Sequence, residues 1–203
     1  MTPTVLLLDC DGVIRHWDQD AFAALAVTAG CSTSELAAIA FEEQLLGSAM
    51  VGAITAEVWA DEIGARAGSA HGGDAAEVAA GFAAMGWTID GTVLAVAARV
   101  RAAGHVVAIL SNASTRLEDD LAASGVTQAV DVVLSSARLG LAKPDPAIYA
   151  AAAAALGVEP GACLFIDDHA ANVNAAREAG MLSEVFMGAT SLVTLLDQVG
   201  LLT

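Results

Sequence analysis

Residues 5–14 read VLLLDCDGVI. Four apolar residues, Val5 to Leu8, run straight into Asp9, Cys10, Asp11 and Gly12. A short, continuously apolar run closed by a turn signal is the pattern of a strand buried on both faces, as in a parallel sheet covered by helices. Such a strand delivers two carboxylates, one residue apart, to its C-terminal end. Charges that close repel unless one is protonated or a cation lies between them. Taken alone, the stretch is equally compatible with a solvated turn, because Asp and Gly are ordinary turn residues. The rest of the chain has to decide.

Downstream the text changes style twice. From residue 18 to about 86 it is helical: DQDAFAALAVTAG, STSELAAIAFEEQLLG, TAEVWADEIGARAG and DAAEVAAGFAAMG each open near Asp, Ser or Thr and close at or near glycine, as helix caps do. Ser32 and Glu35 have the spacing of a capping box. No strand is evident in this section. After residue 90, apolar β-rich runs at 105–110, 131–136, 163–166 and 184–187 alternate with helices expected at 92–103, 114–124, 145–156, 170–179 and 190–199. That alternation indicates an α/β fold, a Rossmann-like doubly wound parallel sheet. The expected organisation is an α/β core from residues 1–16 and 88–203, interrupted by a helical insertion over 17–87.

The 203 residues carry 24 acidic and 8 basic side chains, a formal charge of −16. A surface this acidic repels nucleic acid and anionic membrane, so neither is expected as a partner. Any anion handled here must be captured locally, by a metal, a lysine or oriented amides. No apolar run approaches the ~20 residues of a membrane span. The opening MTPTVLLLDC lacks the basic segment of a secretory leader, so a cytoplasmic protein is expected. Cys10, Cys31 and Cys163 have no metal-type spacing and read as reduced thiols, with Cys10 in a packing role. Trp59, Phe82 and Trp87 are expected to pack between helices rather than to line a pocket.

In open α/β sheets the active groups lie beyond the carboxyl ends of the strands. Asp9, Asp11 and Gly12 follow the first strand; Ser111 and Asn112 follow VVAIL; Asp167, Asp168 and His169 follow CLFI; Lys143 precedes Pro144 in AKPDPAIY. Carboxylates, a hydroxyl and an ammonium converging on one edge suit a hard cation such as Mg²⁺ beside a phosphate pocket.

The order DxDGV, then SN after a hydrophobic run, then KPDPxIY, then IDDxxxNVxxA resembles the four-motif signature of the haloacid dehalogenase-like hydrolase superfamily. The resemblance spans residue 4 to about 187. The insertion after the first motif resembles a C1-type cap, and GHVVAILSNASTRL and LGLAKPDPAIYAAAAAALG are similar to sugar-1-phosphate phosphatases and the phosphatase domain of soluble epoxide hydrolases. The resemblance implies Asp9 as a nucleophile that forms an aspartyl phosphate. It implies Asp11 as the acid that protonates the leaving alkoxide and then the base that activates water. Gly12 would turn the backbone so that amides face a phosphate oxygen. Ser111, Asn112 and Lys143 would hold the phosphoryl group, Lys143 also neutralising Asp9. Mg²⁺ would be held by Asp9, Asp168, the backbone carbonyl of Asp11 and, directly or through water, Asp167. Asn172 would orient that loop. Arg15, His16 and Trp17 lead towards the insertion, and His16 and Trp17 are candidate substrate contacts.

The expected activity is hydrolysis of a small, sugar-like phosphate monoester by a monomer or homodimer. A phosphotransferase of the hexose-phosphate mutase type shares every group, and a non-catalytic phosphate binder shares most of them. A dehalogenase has no use for an acid at Asp11, since halide departs without a proton.

Overall fold

The computed structural model describes residues 2–202. In chain order it comprises β1 (Val5–Leu8), β2 (Arg15–Trp17), α1 (Gln19–Thr28), α2 (Thr33–Ala40), α3 (Glu43–Met50), α4 (Ala56–His71), α5 (Ala75–Ala83) and β3 (Trp87–Ile89). There follow α6 (Gly91–Ala102), β4 (Val106–Ser111), α7 (Leu117–Ser124), β5 (Val132–Ser135), α8 (Ser136–Leu139), α9 (Pro146–Leu156), β6 (Cys163–Asp167), α10 (Ala170–Glu178), β7 (Leu182–Val185) and α11 (Ala189–Gln198).

Five strands form one parallel sheet in the order β5-β4-β1-β6-β7. The alternation of strands and helices after residue 90 produces this arrangement, and the fold is the doubly wound α/β type. The chain leaves β1, returns beside it as β4, moves outward to β5, then crosses to β6 on the opposite side. β1 is therefore the strand at which the winding reverses, and crevices open beyond the carboxyl end of such a strand.

The run Val5–Leu8 is apolar throughout because helices cover both faces. Leu6 and Leu8 pack with Val96 and Val100 of α6, Leu121 of α7 and Leu196 of α11. Val5 and Leu7 pack on the other side with Ile148, Tyr149 and Ala152 of α9 and Ala176 of α10. All four are buried, and each fully buried Leu contributes roughly 1.5–3 kcal/mol.

Helices α1 to α5 have a core of their own, including Phe22, Leu36, Leu45, Ile63, Val78 and Phe82. Helices α4 and α5 approach so closely that a Cβ on Gly64 would lie 2.2 Å from the Ala75 carbonyl oxygen. Ser32 and Glu35 form the capping box at α2.

Several elements depart from expectation. A two-stranded antiparallel ribbon pairs Arg15 with Ile89 and Trp17 with Trp87. Three-residue strands this short have no readable alternation, and only the pairing partner stabilises them. The segment STSELAAIAFEEQLLG breaks into two helices because Glu42 caps α3, its carboxylate accepting bonds from the Gln44 and Leu45 amides. The last strand lies at 182–185 rather than 184–187, and α7 starts at Leu117 rather than residue 114. No helix among the described residues is long and apolar enough to cross a membrane.

Candidate active site

Register places the acidic groups. Leu8 pairs with Ile109 on one side and Ile166 on the other, so Asp9 emerges level with Asp167 on the adjacent strand, about 4.8 Å away in a parallel ladder. Its amide donates to the Ile166 carbonyl oxygen at 2.8 Å. Two buried carboxylates side by side require a positive charge, and Lys143 supplies it. Lys143 Nζ lies 2.8 Å from Asp9 Oδ1 and 2.6 Å from Asp167 Oδ2, and it donates to the Leu110 carbonyl oxygen at 3.1 Å. Its side chain is 1% exposed, which makes it the most deeply buried cation in these ion pairs.

Electrostatics follow from burial. Loss of water pushes the Asp9 carboxyl up, to about 7, against the pull of Lys143 and with a further push from Asp167. Burial by itself would drive the Lys143 ammonium down, but Asp9 and Asp167 together hold it above the ordinary lysine value. One lysine does not offset two buried carboxylates and the neighbouring Asp168, so the edge favours a further cation.

Asp9 Oδ1 also accepts from the Cys10 amide at 2.7 Å, while its Oδ2 has no hydrogen bond among the described residues. Asp168 turns its Oδ2 to Gly12, where a Cβ would lie only 2.1 Å away. The Asp11 backbone turns through the same loop. Ser111 Oγ is buried at the end of β4 without a hydrogen-bond partner among the described residues. A buried hydroxyl left unpaired costs roughly 1–3 kcal/mol, which a phosphate oxygen or other ligand would recover. Asp9, Asp168 and the Asp11 carbonyl are hard oxygen donors and fit Mg²⁺.

Asp167 is hydrogen-bonded through both oxygens. Its Oδ1 accepts from the His169 amide at 2.8 Å and from Asn172 at 3.1 Å, and its Oδ2 accepts from Asn172 at 3.1 Å as well as from Lys143. Both oxygens are thus engaged inside the protein. Asp167, Asp168 and His169 present ligand atoms within 4.8 Å of one another, but His169 Nδ1 is already 2.6 Å from Asp168 Oδ1 and its side chain is largely exposed. Whatever else it does, Asp167 holds Lys143 in place.

Asn112 is tied to Lys143. Its Oδ1 accepts from the Lys143 amide at 2.7 Å and its Nδ2 donates to the Lys143 carbonyl oxygen at 2.8 Å. Both ends of the amide clasp Lys143's backbone, so Asn112 positions the lysine. Gly12 has φ +86°, a conformation glycine adopts without cost, and its own amide donates to the Arg15 carbonyl oxygen at 2.9 Å.

A cavity of about 430 Å³ opens beside these groups, between the sheet edge and the helices of residues 18–85. Asp11 and Asn112 line one end, and Trp17 lines a wall. His16 is not among the residues that line it; its side chain is exposed on the ribbon. Trp59, Phe82 and Trp87, expected only to pack, all face the cavity. Trp59 does both, donating its indole N–H to the Ala40 carbonyl oxygen at 3.1 Å. Cys10 is buried and its thiol is pushed well up by burial, in keeping with packing.

Sequence reading gave Arg15 too little weight. It bonds both oxygens of Asp11, and its guanidinium lies 4.5 Å from the centre of the Trp17 ring and 5.8 Å from that of Trp87. A signal existed: it is one of only eight basic residues, four positions after a motif carboxylate.

The model of the haloacid dehalogenase-like hydrolase family matches residues 3–180, and the chain belongs to that family. It is 47% identical to phosphatase MT3486 of Mycobacterium tuberculosis over 83 residues, which cover 40% of this chain and 38% of that protein. It is 28% identical over 185 residues to the validoxylamine A 7'-phosphate phosphatase of Streptomyces hygroscopicus subsp. limoneus, covering 87% of this chain and 82% of the relative. Among solved structures, a HAD family enzyme from Bacteroides thetaiotaomicron in complex with magnesium and inorganic phosphate has the same fold, with a TM-score of 0.71 at 21% identity over 90% of this chain and 93% of that one.

Proposed function

We propose that this hydrolase is a Mg²⁺-dependent phosphatase of small phosphate monoesters that works through an aspartyl phosphate on Asp9, with the helices of residues 17–87 acting as a cap. The observation that carries the reading is the pairing of two carboxylates with different surroundings: Asp9 buried against Lys143, and Asp11 on the cavity wall. A nucleophile must face phosphorus, and a general acid must face the leaving group, so two such positions suit attack and departure along one line.

In this reading the ester's phosphoryl group lies between Asp9 Oδ2 and the Ser111 hydroxyl, with Lys143 neutralising the oxygens. A cation held by Asp9, Asp168 and the Asp11 carbonyl supplies charge stabilisation at the phosphoryl oxygens. Asp9 attacks phosphorus, the P–O bond to the leaving group breaks, and Asp11, having taken up a proton and turned one oxygen away from its Arg15 fork, gives that proton to the departing oxygen. Asp11, now a carboxylate, takes a proton from the water that hydrolyses the acyl phosphate and frees Asp9. Phosphatase activity in two relatives' names supports the reading, as does a fold neighbour that binds magnesium and phosphate. Asp11 weighs against a dehalogenase, whose halide needs no proton.

The experiment is phosphate release from a panel of phosphorylated metabolites with Mg²⁺, with EDTA and with Asp9→Asn. Metal-dependent release abolished by Asp9→Asn is expected. Release that persists in EDTA removes the metal, and release sustained by Asp9→Asn removes the covalent step. Isomerised product in place of free phosphate would make the protein a mutase.

A further inference from the structure

We propose that the leaving group is an apolar, ring-bearing alcohol of about the size of a fused bicycle, not a polyol such as a sugar. This rests on the phosphatase reading and names the substrate class of that site.

Asp11 fixes where the leaving group must be. The acid touches the departing oxygen, so the carbon skeleton attached to it occupies the space that Asp11 lines, which is the 430 Å³ cavity. A 150 Å³ apolar cavity accepts benzene, so this one has room for two fused rings and a short linker.

The walls are aromatic. Phe22 stacks on Phe41 with ring centres 6.0 Å apart, Phe41 lies 6.5 Å from Trp59, and Trp59 meets Phe82 edge-on at 5.1 Å. These four rings form a connected surface. Trp17 and Trp87 line the cavity as well, with the Arg15 guanidinium against both rings.

The charged groups on the lining, and Asn112, are committed elsewhere; Gln19, Thr33 and Ser114 are the uncharged polar side chains that remain. Arg15 is taken by Asp11 and lies 3.7 Å from Asp120, Arg116 bonds the Ala83 carbonyl oxygen and Asp120, Asp18 caps α1, and Asn112 holds Lys143. A sugar entering here would surrender the hydration of four or five hydroxyls for at most three uncharged side chains and no charged one, and each uncompensated hydroxyl costs roughly 1–3 kcal/mol. An aromatic body loses nothing and buries its surface. Phe41 is 48% exposed although it sits on this wall, which leaves an apolar ring for an occupant to cover.

The test compares esters whose alkoxides leave with similar difficulty: 2-(1-naphthyl)ethyl phosphate and benzyl phosphate against glucose 6-phosphate and glycerol 1-phosphate, with acetyl phosphate as a substrate lacking a body. The expected result is kcat/KM at least a hundredfold higher for the naphthylethyl ester than for glucose 6-phosphate, carried by KM, with benzyl phosphate between. In Phe41→Ser the naphthylethyl-to-glycerol ratio falls at least tenfold; Met50→Asp, on the same lining, is the second variant should Phe41→Ser fail to fold. Equal or better turnover of the polyol esters overturns the apolar leaving group and leaves the phosphatase intact. No phosphate from any substrate, acetyl phosphate included, overturns the phosphatase reading and the substrate class with it.

Discussion

Arg15 reaches back four residues and grips Asp11 with two parallel bonds, Nε to Oδ1 at 2.6 Å and Nη2 to Oδ2 at 2.9 Å. The fork fixes the plane of the carboxylate, because a guanidinium matches both oxygens at once. The guanidinium is itself held by the ring faces of Trp17 and Trp87, worth about 0.5–2 kcal/mol in such contacts. Its pairing with Asp11 holds it charged above the usual arginine value, against the cost of its own burial.

Arg15→Lys retains the charge and loses the fork, so Asp11 is expected to lose orientation and not its identity. On alkyl esters, whose leaving oxygen requires the proton, kcat falls about 10- to 100-fold, the range set by small misplacements of a catalytic group. On 4-nitrophenyl phosphate, whose leaving group departs without help, the loss is under threefold. Steady-state kinetics on both esters decides it: equal losses would mean that Arg15 merely supports the fold.

Asp167 and Asp168 are adjacent in sequence but are expected to do different work. Asp168→Asn removes an oxygen donor of the cation site, so the Mg²⁺ concentration for half-maximal rate rises at least tenfold. Asp167→Asn loosens Lys143 and leaves the cation site nearly intact, so kcat falls while the Mg²⁺ requirement shifts less than threefold. Titrating activity with Mg²⁺ in the two variants separates the roles. An equal rise in both would restore Asp167 as a ligand.

Those two residues also mark how far sequence reading goes. The pair after CLFI is visible in the text, and the parallel sheet follows from the alternation of apolar runs and helices. Helices α6, α9, α10 and α11 and strands β4, β5 and β6 fall within one residue of their expected ends, because Asp, Pro and Gly punctuate them. Which of Asp167 and Asp168 meets Lys143 is not legible, since it depends on which carboxylate the register sets level with Asp9. Asn112 illustrates the same limit: SN after a strand reads as a phosphate contact, and only the return of the chain at Lys143, 31 residues on, turns it into a clasp. The aromatic cavity was missed because Trp17 and Trp87 face each other through a ribbon whose pairing spans 70 residues.

The three thiols offer a check on the core. Cys10 and Cys163 are buried and burial pushes both thiols up, Cys163 to about 11; Cys31 is partly exposed. The thiolate is the reacting species and must be reached. Iodoacetamide at pH 8 is therefore expected to label Cys31 alone in the folded protein, slowly, and all three after denaturation, as read by intact-mass analysis. Rapid native labelling of Cys10 would contradict the closed packing behind Asp9.

Gly12 lies against Asp168 and so joins the two loops of the proposed cation site. Its φ of +86° excludes most side chains, and a Cβ there would sit 2.1 Å from Asp168 Oδ2 and 2.7 Å from its Cγ. Gly12→Ala therefore costs about 1–2 kcal/mol in backbone strain, measurable as a fall of a few degrees in Tm. Its larger effect is expected on activity, because the carboxylate of Asp168, being partly exposed, can swing aside and leave the site. The Mg²⁺ requirement then rises at least tenfold, as in Asp168→Asn. A double-mutant cycle makes the link explicit: with Asp168 already replaced by Asn, adding Gly12→Ala should change the Mg²⁺ requirement by less than threefold, since neighbouring sites acting through one contact are not additive. If the two effects multiply instead, Gly12 acts on the site by some route other than Asp168.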